Sequence, residues 1–147
     1  MLDGALSEGI LRDVVHPVGA VRSAGAAALA TLAQDNADLV APITIQLIET
    51  FKDKTEMTPA VRDKYDRVVV EAVDLWEGRA GVAMALQQLA PLLTADTVVT
   101  LANFFVPDAL GDRNAEVRTK MLEAAMSVVN SHGKVSRHVA VYPLFSN

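Results

Sequence analysis

Three histidines are the first residues in this sequence whose chemistry invites a functional interpretation. His16, His132 and His138 lack the spacing of ligands to one metal ion, and the last two stand on either side of Gly133, around a predicted loop. The chain contains no cysteine, which excludes a thiolate metal site, a disulfide framework and a cysteine nucleophile. A glycine-rich phosphate loop, a nucleophile elbow and an HExxH motif are also missing. We therefore expect no metal, no cofactor and no enzymatic activity.

Two pairs of carboxylates stand at helical spacing, Asp108 with Asp112 and Glu71 with Asp74. Acid–base catalysis would require such groups to converge on a substrate, and nothing in the sequence indicates that they do. Capping of helix ends, or ion pairing between structural repeats, is the simpler interpretation. Asp74 and Glu77 have the spacing of a capping box at the start of a helix.

Composition favours a helical protein with a core of small residues. Hydrophobic residues make up 51% of the 147 residues and aromatic residues only 5%. The net charge of −5 arises from 18 acidic and 13 basic residues, and it would weakly repel nucleic acid, so direct RNA contact is not expected. No stretch resembles a targeting peptide or the roughly 18 apolar residues of a membrane span. We expect a soluble, cytoplasmic chain.

The chain is expected to begin within a weakly apolar helix, and apolar periodicity of three and four residues predicts five helices after it. They are Ala20–Gln34, a helix from about Pro42 to Lys54, one from Asp74 to about Pro91, one capped by Thr94 that Pro107 kinks and Gly111 ends, and one from Asn114 to about Asn130 that Gly133 stops. Their predicted buried faces are Val21, Ala24, Ala28, Leu29 and Leu32; Ile43, Leu47, Ile48 and Phe51; Ala80, Ala83, Met84, Leu86 and Leu89; Val98, Leu101, Phe104 and Phe105; and Val117, Met121, Ala124, Ala125 and Val128.

The segment between Thr55 and Asp74 breaks this pattern. Pro59 interrupts it, and Val68-Val69-Val70 is as compatible with a short strand as with a helix. We interpret the segment as an irregular insertion with at most one helical turn. Trp76, which follows it, is interpreted as the end of a core, with an interface anchor as the alternative.

An internal repeat organises the helices. Arg22, Arg79 and Arg118 each stand one turn into an alanine-rich helix; the second spacing is 39 residues and the first, 57, is stretched by the insertion. A period of about 40–47 residues is typical of HEAT and armadillo units. We predict an all-α HEAT-repeat solenoid of about three helical hairpins, with units at 1–35, 36–91 (insertion 55–74) and 94–133. A further unit begins at 135–147, with the apolar stretch Val139–Phe145.

The arginines have a predicted structural role. Asp112 and Arg118 match the Asp and Arg positions of the HEAT pattern, and a planar guanidinium can bind a carboxylate at two points. We expect Arg22, Arg79, Asp112 and Arg118 to join one unit to the next, although His16 replaces the aspartate of the first unit.

A basic surface is a second prediction. Arg113 and Lys120, with Lys134 nearby, could contact a partner, and a solvated charged edge is the alternative. Neither end of the chain has the polar face of a capping repeat, so we also expect a piece of a longer array.

One run of residues carries a specific resemblance. Phe104-Phe105-Val106-Pro107-Asp108-Ala109-Leu110-Gly111-Asp112-Arg113-Asn114, followed by Val117-Arg118 and Asn130-Ser131-His132-Gly133-Lys134, resembles the family of general-control-nonderepressible translational activators. Trp76-Glu77-x-Arg79 and His16-Pro17 before Val21-Arg22 agree with it. The similarity covers most of the chain and is weakest in the insertion.

The resemblance implies a very long eukaryotic HEAT-repeat protein that sits on stalled or collided ribosomes. Under amino-acid starvation such a protein helps to activate the kinase of initiation factor two. This chain would lie beside or at the start of the family's elongation-factor-three-like region, away from the part that binds the kinase, so no kinase-contacting residue is carried over. The expected function is thus a non-catalytic scaffold whose partners are proteins and, through the whole protein, the ribosome and the kinase. The alternative is a generic HEAT adaptor in transport or phosphatase assembly.

Overall fold

Six helices and one small β-hairpin form the part of the chain that the computed structural model describes, residues 4–136, with side chains from 8 to 133. The helices are α1 (Gly4–Val14), α2 (Gly19–Asp35), α3 (Val40–Asp53), α4 (Trp76–Leu89), α5 (Ala95–Phe104) and α6 (Ala115–Ser136). The antiparallel strands β1 (Val61–Arg62) and β2 (Val68–Val70) lie between α3 and α4.

The helices pack as a stack of hairpins. Helix α4 lies in the middle and packs against α2 on one side and α6 on the other, while α1 packs on α2, α3 on α4 and α5 on α6. The predicted all-α stack of about three helical hairpins is confirmed. The unit boundaries at 1–35, 36–91 and 94–133 stay a proposal, which the pairing of α1 with α2, α3 with α4 and α5 with α6 supports.

Several predicted helix signals are confirmed by side-chain geometry. The hydroxyl of Thr94 accepts a hydrogen bond from the amide of Thr97 at the start of α5. The side-chain oxygen of Asn114 accepts from the amides of Glu116 and Val117 at the start of α6. Next to Pro107 the helix is kinked, because Val106 has extended backbone angles between Phe105 and Ala109.

Burial confirms most of the predicted core, but the buried face of α2 was wrong. Ala24 and Ala28 are exposed, whereas Gly25, Ala26 and Ala33 join Leu29 in the core. The helix is apolar on almost every side, and alanines contribute too little area for periodicity to select one face. The buried side of α2 is therefore determined by its packing against the neighbouring helices.

The predicted capping box at Asp74 was also wrong. Leu75 precedes α4 without a side-chain cap, and Asp74 binds arginines instead, since an ion pair with a buried guanidinium is stronger than a cap on a helix end. Gly133 does not stop α6, which continues to Ser136. His132 therefore lies in a helix, where its Nε2 lies 2.5 Å from the carbonyl oxygen of Ala90. His138 and Val139–Phe145 lie outside the described residues.

The insertion is a β-hairpin, not an irregular segment with a helical turn. The three valines of β2 form a strand because β-branched side chains favour extended backbone. Asp63 shapes the turn: its Oδ1 accepts hydrogen bonds from the amides of Tyr65 and Arg67, at 2.8 and 3.0 Å. Asp66 completes the turn with a φ of 62°.

Close helix approach depends on a glycine of α4. A Cβ atom placed on Gly81 would stand 1.7 Å from the carbonyl oxygen of Val14 at the end of α1. Backbone cannot move aside as a flexible side chain would, so only glycine is compatible with this contact. The first hairpin and the second are held together at this point.

We expect Gly81→Ala to lower the free energy of unfolding by at least about 2 kcal/mol, because the added methyl group forces α1 away from α4. Gly9→Ala is the matched control: a Cβ there meets nothing within 4 Å, and alanine should stabilise α1 by up to about 1 kcal/mol. Urea denaturation of both variants measures the difference. Equal stabilities would show that the two helices do not approach this closely.

Candidate functional site

A buried guanidinium joins the second hairpin to the third. Arg79, in the first turn of α4, is fully buried, and Asp112 in the segment before α6 is 7% exposed. Two parallel bonds connect them, Nε to Oδ1 at 2.8 Å and Nη2 to Oδ2 at 3.0 Å. This bidentate pairing fixes the start of α6 against α4.

The other side of the same guanidinium holds the ends of the insertion. Arg79 Nη1 donates to Oδ1 of Asp74 at 2.7 Å and to the carbonyl oxygen of Lys54 at 2.8 Å, and Nη2 donates to Oδ2 of Asp74 at 3.3 Å. All five N–H groups of Arg79 thus have acceptors. Complete hydrogen bonding is the condition under which a buried charge is tolerated.

A second arginine closes the arrangement from the solvent side. Arg113 Nη2 donates to Oδ1 of Asp74 and to the carbonyl oxygen of Thr55, both at 2.6 Å. Arg79, Arg113, Asp74 and Asp112 form a group without net charge, which we call the arginine clamp. It joins the end of α3, the end of the insertion, α4 and the segment before α6.

The pKa values reflect this pairing. Hydrogen bonding from Arg79, and secondarily from Arg113, lowers the pKa of the Asp74 carboxyl to about 2 against the opposing effect of burial. Burial acts to lower the pKa of Arg79, but its hydrogen bonds to Asp74 and Asp112 prevail and raise it. Arg79 and Asp74 therefore stabilise each other's charged form.

Arg22 and Arg118 occupy matching positions outside the clamp. Arg22 Nη1 donates to the carbonyl oxygens of His16 and Pro17, at 2.9 and 2.8 Å, and Arg118 Nη1 donates to that of Asp112 at 2.7 Å. These bonds stay within one unit, contrary to the inter-repeat expectation, because side chains in the first turn of a helix point back toward the preceding loop. Arg22 reaches the next unit by lying 5.8 Å from the ring centroid of Trp76.

His16 takes over part of the role of an aspartate. Its Nδ1 accepts a hydrogen bond from the amide of Val18 at 3.0 Å, as Oδ2 of Asp112 accepts from the amide of Asn114 at 2.9 Å. In both units an acceptor two residues upstream closes the loop before the helix. This equivalence agrees with the prediction that His16 replaces the aspartate of the first unit, since the spacing from His16 to Arg22 and from Asp112 to Arg118 is six residues in both units.

The two predicted partner-binding residues lie in different situations. Arg113 is occupied within the clamp, although 44% of its side chain is exposed. Among the described residues, Lys120 on α6 has one ion pair, a long contact of 3.9 Å to Glu123. Asp74, in contrast, was not predicted to bind arginine, because its partners stand 5 and 39 residues away.

The described residues contain no group of three or more side chains that could hold a metal ion. Among the same residues, no helix is both long and apolar enough to cross a membrane.

Helical hairpins stacked side by side, with an arginine–aspartate pair buried between them, define a HEAT-type repeat protein. Residues 1–145 match the family described as stalled ribosome sensor GCN1, HEAT repeats. The chain belongs to this family, as the run from Phe104 to Asn114 predicted. No solved structure matches the chain.

Relatives from three organisms show how the chain is related to the family. Over 126 residues, 85% of this chain, it is 41% identical to the Mus musculus protein named stalled ribosome sensor GCN1 and 40% identical to the Homo sapiens protein of that name. It is 36% identical over 93 residues to the Saccharomyces cerevisiae eIF-2-alpha kinase activator GCN1. The chain spans only about 5% of the length of the mouse and human relatives.

Replacing Arg79 should strongly reduce the stability of the fold. We expect Arg79→Met to destabilise the chain by about 3–5 kcal/mol, since it leaves the carboxylates of Asp74 and Asp112 without their main partner. Arg118→Met, which removes one bond to a carbonyl oxygen, should cost only about 1 kcal/mol. Thermal and denaturant unfolding compare the two. Similar losses would argue against the clamp as the principal joint.

Low pH should weaken the arginine clamp. The folded pKa of Asp74, about 2, lies below its ordinary value of 3.8, so its contribution is complete above about pH 4 and is lost as the pH falls toward 2. Over this window the wild-type chain should lose up to about 2 kcal/mol more stability than Asp74→Asn, which has no carboxyl to protonate. Denaturant unfolding at pH 5, 4, 3 and 2 measures both. If the stability of the two proteins falls equally with pH, the lowered pKa of Asp74 is contradicted.

Proposed function

We propose that the chain is a non-catalytic scaffold segment of a ribosome-associated translational activator, which promotes activation of the initiation factor two alpha kinase under amino-acid starvation. The family match over residues 1–145 carries this proposal. The names of the relatives support it, since the mouse and human proteins are called ribosome sensors and the yeast protein a kinase activator. The partners are those of the whole protein, which acts in the cytoplasm.

The chemistry of the chain supports a scaffold. One member of each predicted acidic pair, Asp112 and Asp74, is held in an ion pair with Arg79 and is not free to exchange protons with a substrate. What the arrangement does accomplish is to hold three helical hairpins at defined positions. A repeat protein binds large partners through the extended surface that such a stack presents.

Charge indicates the kind of partner. With a net charge of −5 the segment has no general attraction for phosphate, so we propose contact with protein and not directly with RNA. Lys120, one third exposed on α6, is the better of the two predicted contact residues, because Arg113 serves the clamp. Family membership also disfavours the alternative of a generic adaptor in transport or phosphatase assembly.

Ribosome co-sedimentation of the full-length protein tests the proposed contact. We expect Lys120→Glu to weaken ribosome binding about two- to fivefold, because an exposed charge at an interface contributes about 0.5–1 kcal/mol. Lys52→Glu, an equivalent change at an exposed position of α3, is the control and should bind as the wild type does. Unchanged sedimentation of Lys120→Glu would remove this residue from the interface.

A second experiment addresses the scaffold itself. In cells starved of an amino acid, full-length protein carrying Arg79→Met should support less phosphorylation of initiation factor two alpha than protein carrying Arg118→Met, at equal abundance. Equal phosphorylation would show that the stack of this segment is dispensable for kinase activation.

A further inference from the structure

The β-hairpin exposes an apolar surface that the helical core does not cover. Val69 is 59% exposed and Val70 53%, and the neighbouring strand adds Val61 at 51%. Both strands are exposed along their whole length. These three valines are therefore accessible to a partner.

The hairpin is nevertheless held in a defined shape. Its base is fixed by Arg113, which binds Thr55 and Asp74, and by the pairing of Thr58 with Val73. The amide of Val73 donates to the hydroxyl oxygen of Thr58, and the amide of Thr58 donates to the carbonyl oxygen of Val73, both at 2.9 Å. A surface ordered before binding loses little entropy when a partner arrives.

The outer edge of β2 is suited to accept another strand. It carries three uncharged residues in succession, whereas β1 follows Pro59 and contains Arg62, which discourage pairing. Within residues 4–136 no third strand pairs with β2. Val69 is the extra residue of a β-bulge, so it has no partner residue in β1. An extended segment could therefore add to the sheet at this edge.

The charges that flank β2 select the added strand. The sequence Arg67-Val68-Val69-Val70-Glu71 is complementary to itself when two copies run antiparallel with Val69 opposite Val69. Val68 of one copy then faces Val70 of the other, and Arg67 faces Glu71 at both ends. We propose that a second copy of this chain binds here, forming a four-stranded sheet from two hairpins about a two-fold axis.

The flanking side chains are available for this contact. Arg67 is 72% exposed and uses its Nε for Asp63, at 2.8 Å, which leaves the terminal nitrogens of the guanidinium for a carboxylate. Glu71 is exposed and has no ion-pair partner among the described residues. Five residues from each copy make a small interface, so the dimer should be weak and should dissociate on dilution.

Sedimentation velocity of the 147-residue chain, from about 10 μM to 1 mM, tests the proposal. We expect the wild type to show a concentration-dependent monomer–dimer equilibrium. Glu71→Arg places like charges opposite each other at both ends of the pairing and should weaken the dimer at least tenfold. Arg67→Glu should do the same with the opposite sign.

Mixing these two variants gives the sharpest result. Each should be monomeric alone, but together they restore both ion pairs and should form a heterodimer, as should the double variant Arg67→Glu/Glu71→Arg with itself. Circular dichroism and the unfolding midpoint verify that each variant is folded. A wild type that is monomeric throughout, or single variants that dimerise as the wild type does, would overturn the proposal.

A further variant separates this interface from the apolar groove of about 440 Å³ between α5 and α6, where Leu122 and Met126 are exposed. Leu122→Glu/Met126→Lys should leave the hairpin dimer unchanged. If it abolishes the dimer while the hairpin variants do not, the groove is the contact and the hairpin pairing is wrong.

Discussion

The complete burial of Arg79 constrains the structure around it. A guanidinium removed from water is tolerated only when each of its N–H groups finds an acceptor. Here the acceptors come from three separate parts of the chain, Asp112, Asp74 and the carbonyl oxygen of Lys54, and all three lie around α4. These segments cannot move independently without leaving a charge unpaired. The clamp therefore fixes the relative positions of hairpins whose apolar contacts, made mostly by alanine, valine and leucine, are less directional.

Small residues provide the second constraint. Helix α4 has neighbours on several sides, and its buried residues include Gly78, Gly81 and three alanines. At Gly81 the backbone of α1 comes so close that no side chain fits. Close approach increases the contact between helices but depends on correct alignment, which the ion pairs of the clamp and the contact of Arg22 with Trp76 supply. Packing and electrostatics thus act on the same interfaces.

The insertion shows how a repeat can carry an additional surface without losing its register. Its two ends, at Thr55 and Asp74, are bound by the arginines that join the second hairpin to the third, so the β-hairpin is fixed at the point where the units meet. The stretched spacing between the first and second repeats is accommodated outside the stack. A family member of this kind can present both a helical surface and a strand edge from one short segment.

Sequence by itself determined the helical class, the repeat, the Thr94 and Asn114 helix starts and the family, because these depend on local spacing and on one specific run of residues. It also suggested a structural role for Arg79 and Asp112, which the bidentate pairing of their side chains supports. Tertiary structure alone decided that Asp74 binds two arginines and does not cap α4, and which side of α2 is buried. The reason is physical. An ion pair between residues 33 or 39 positions apart depends on which segments pack together in the fold, and so does the buried side of an alanine-rich helix. Local sequence spacing carries no information about that packing.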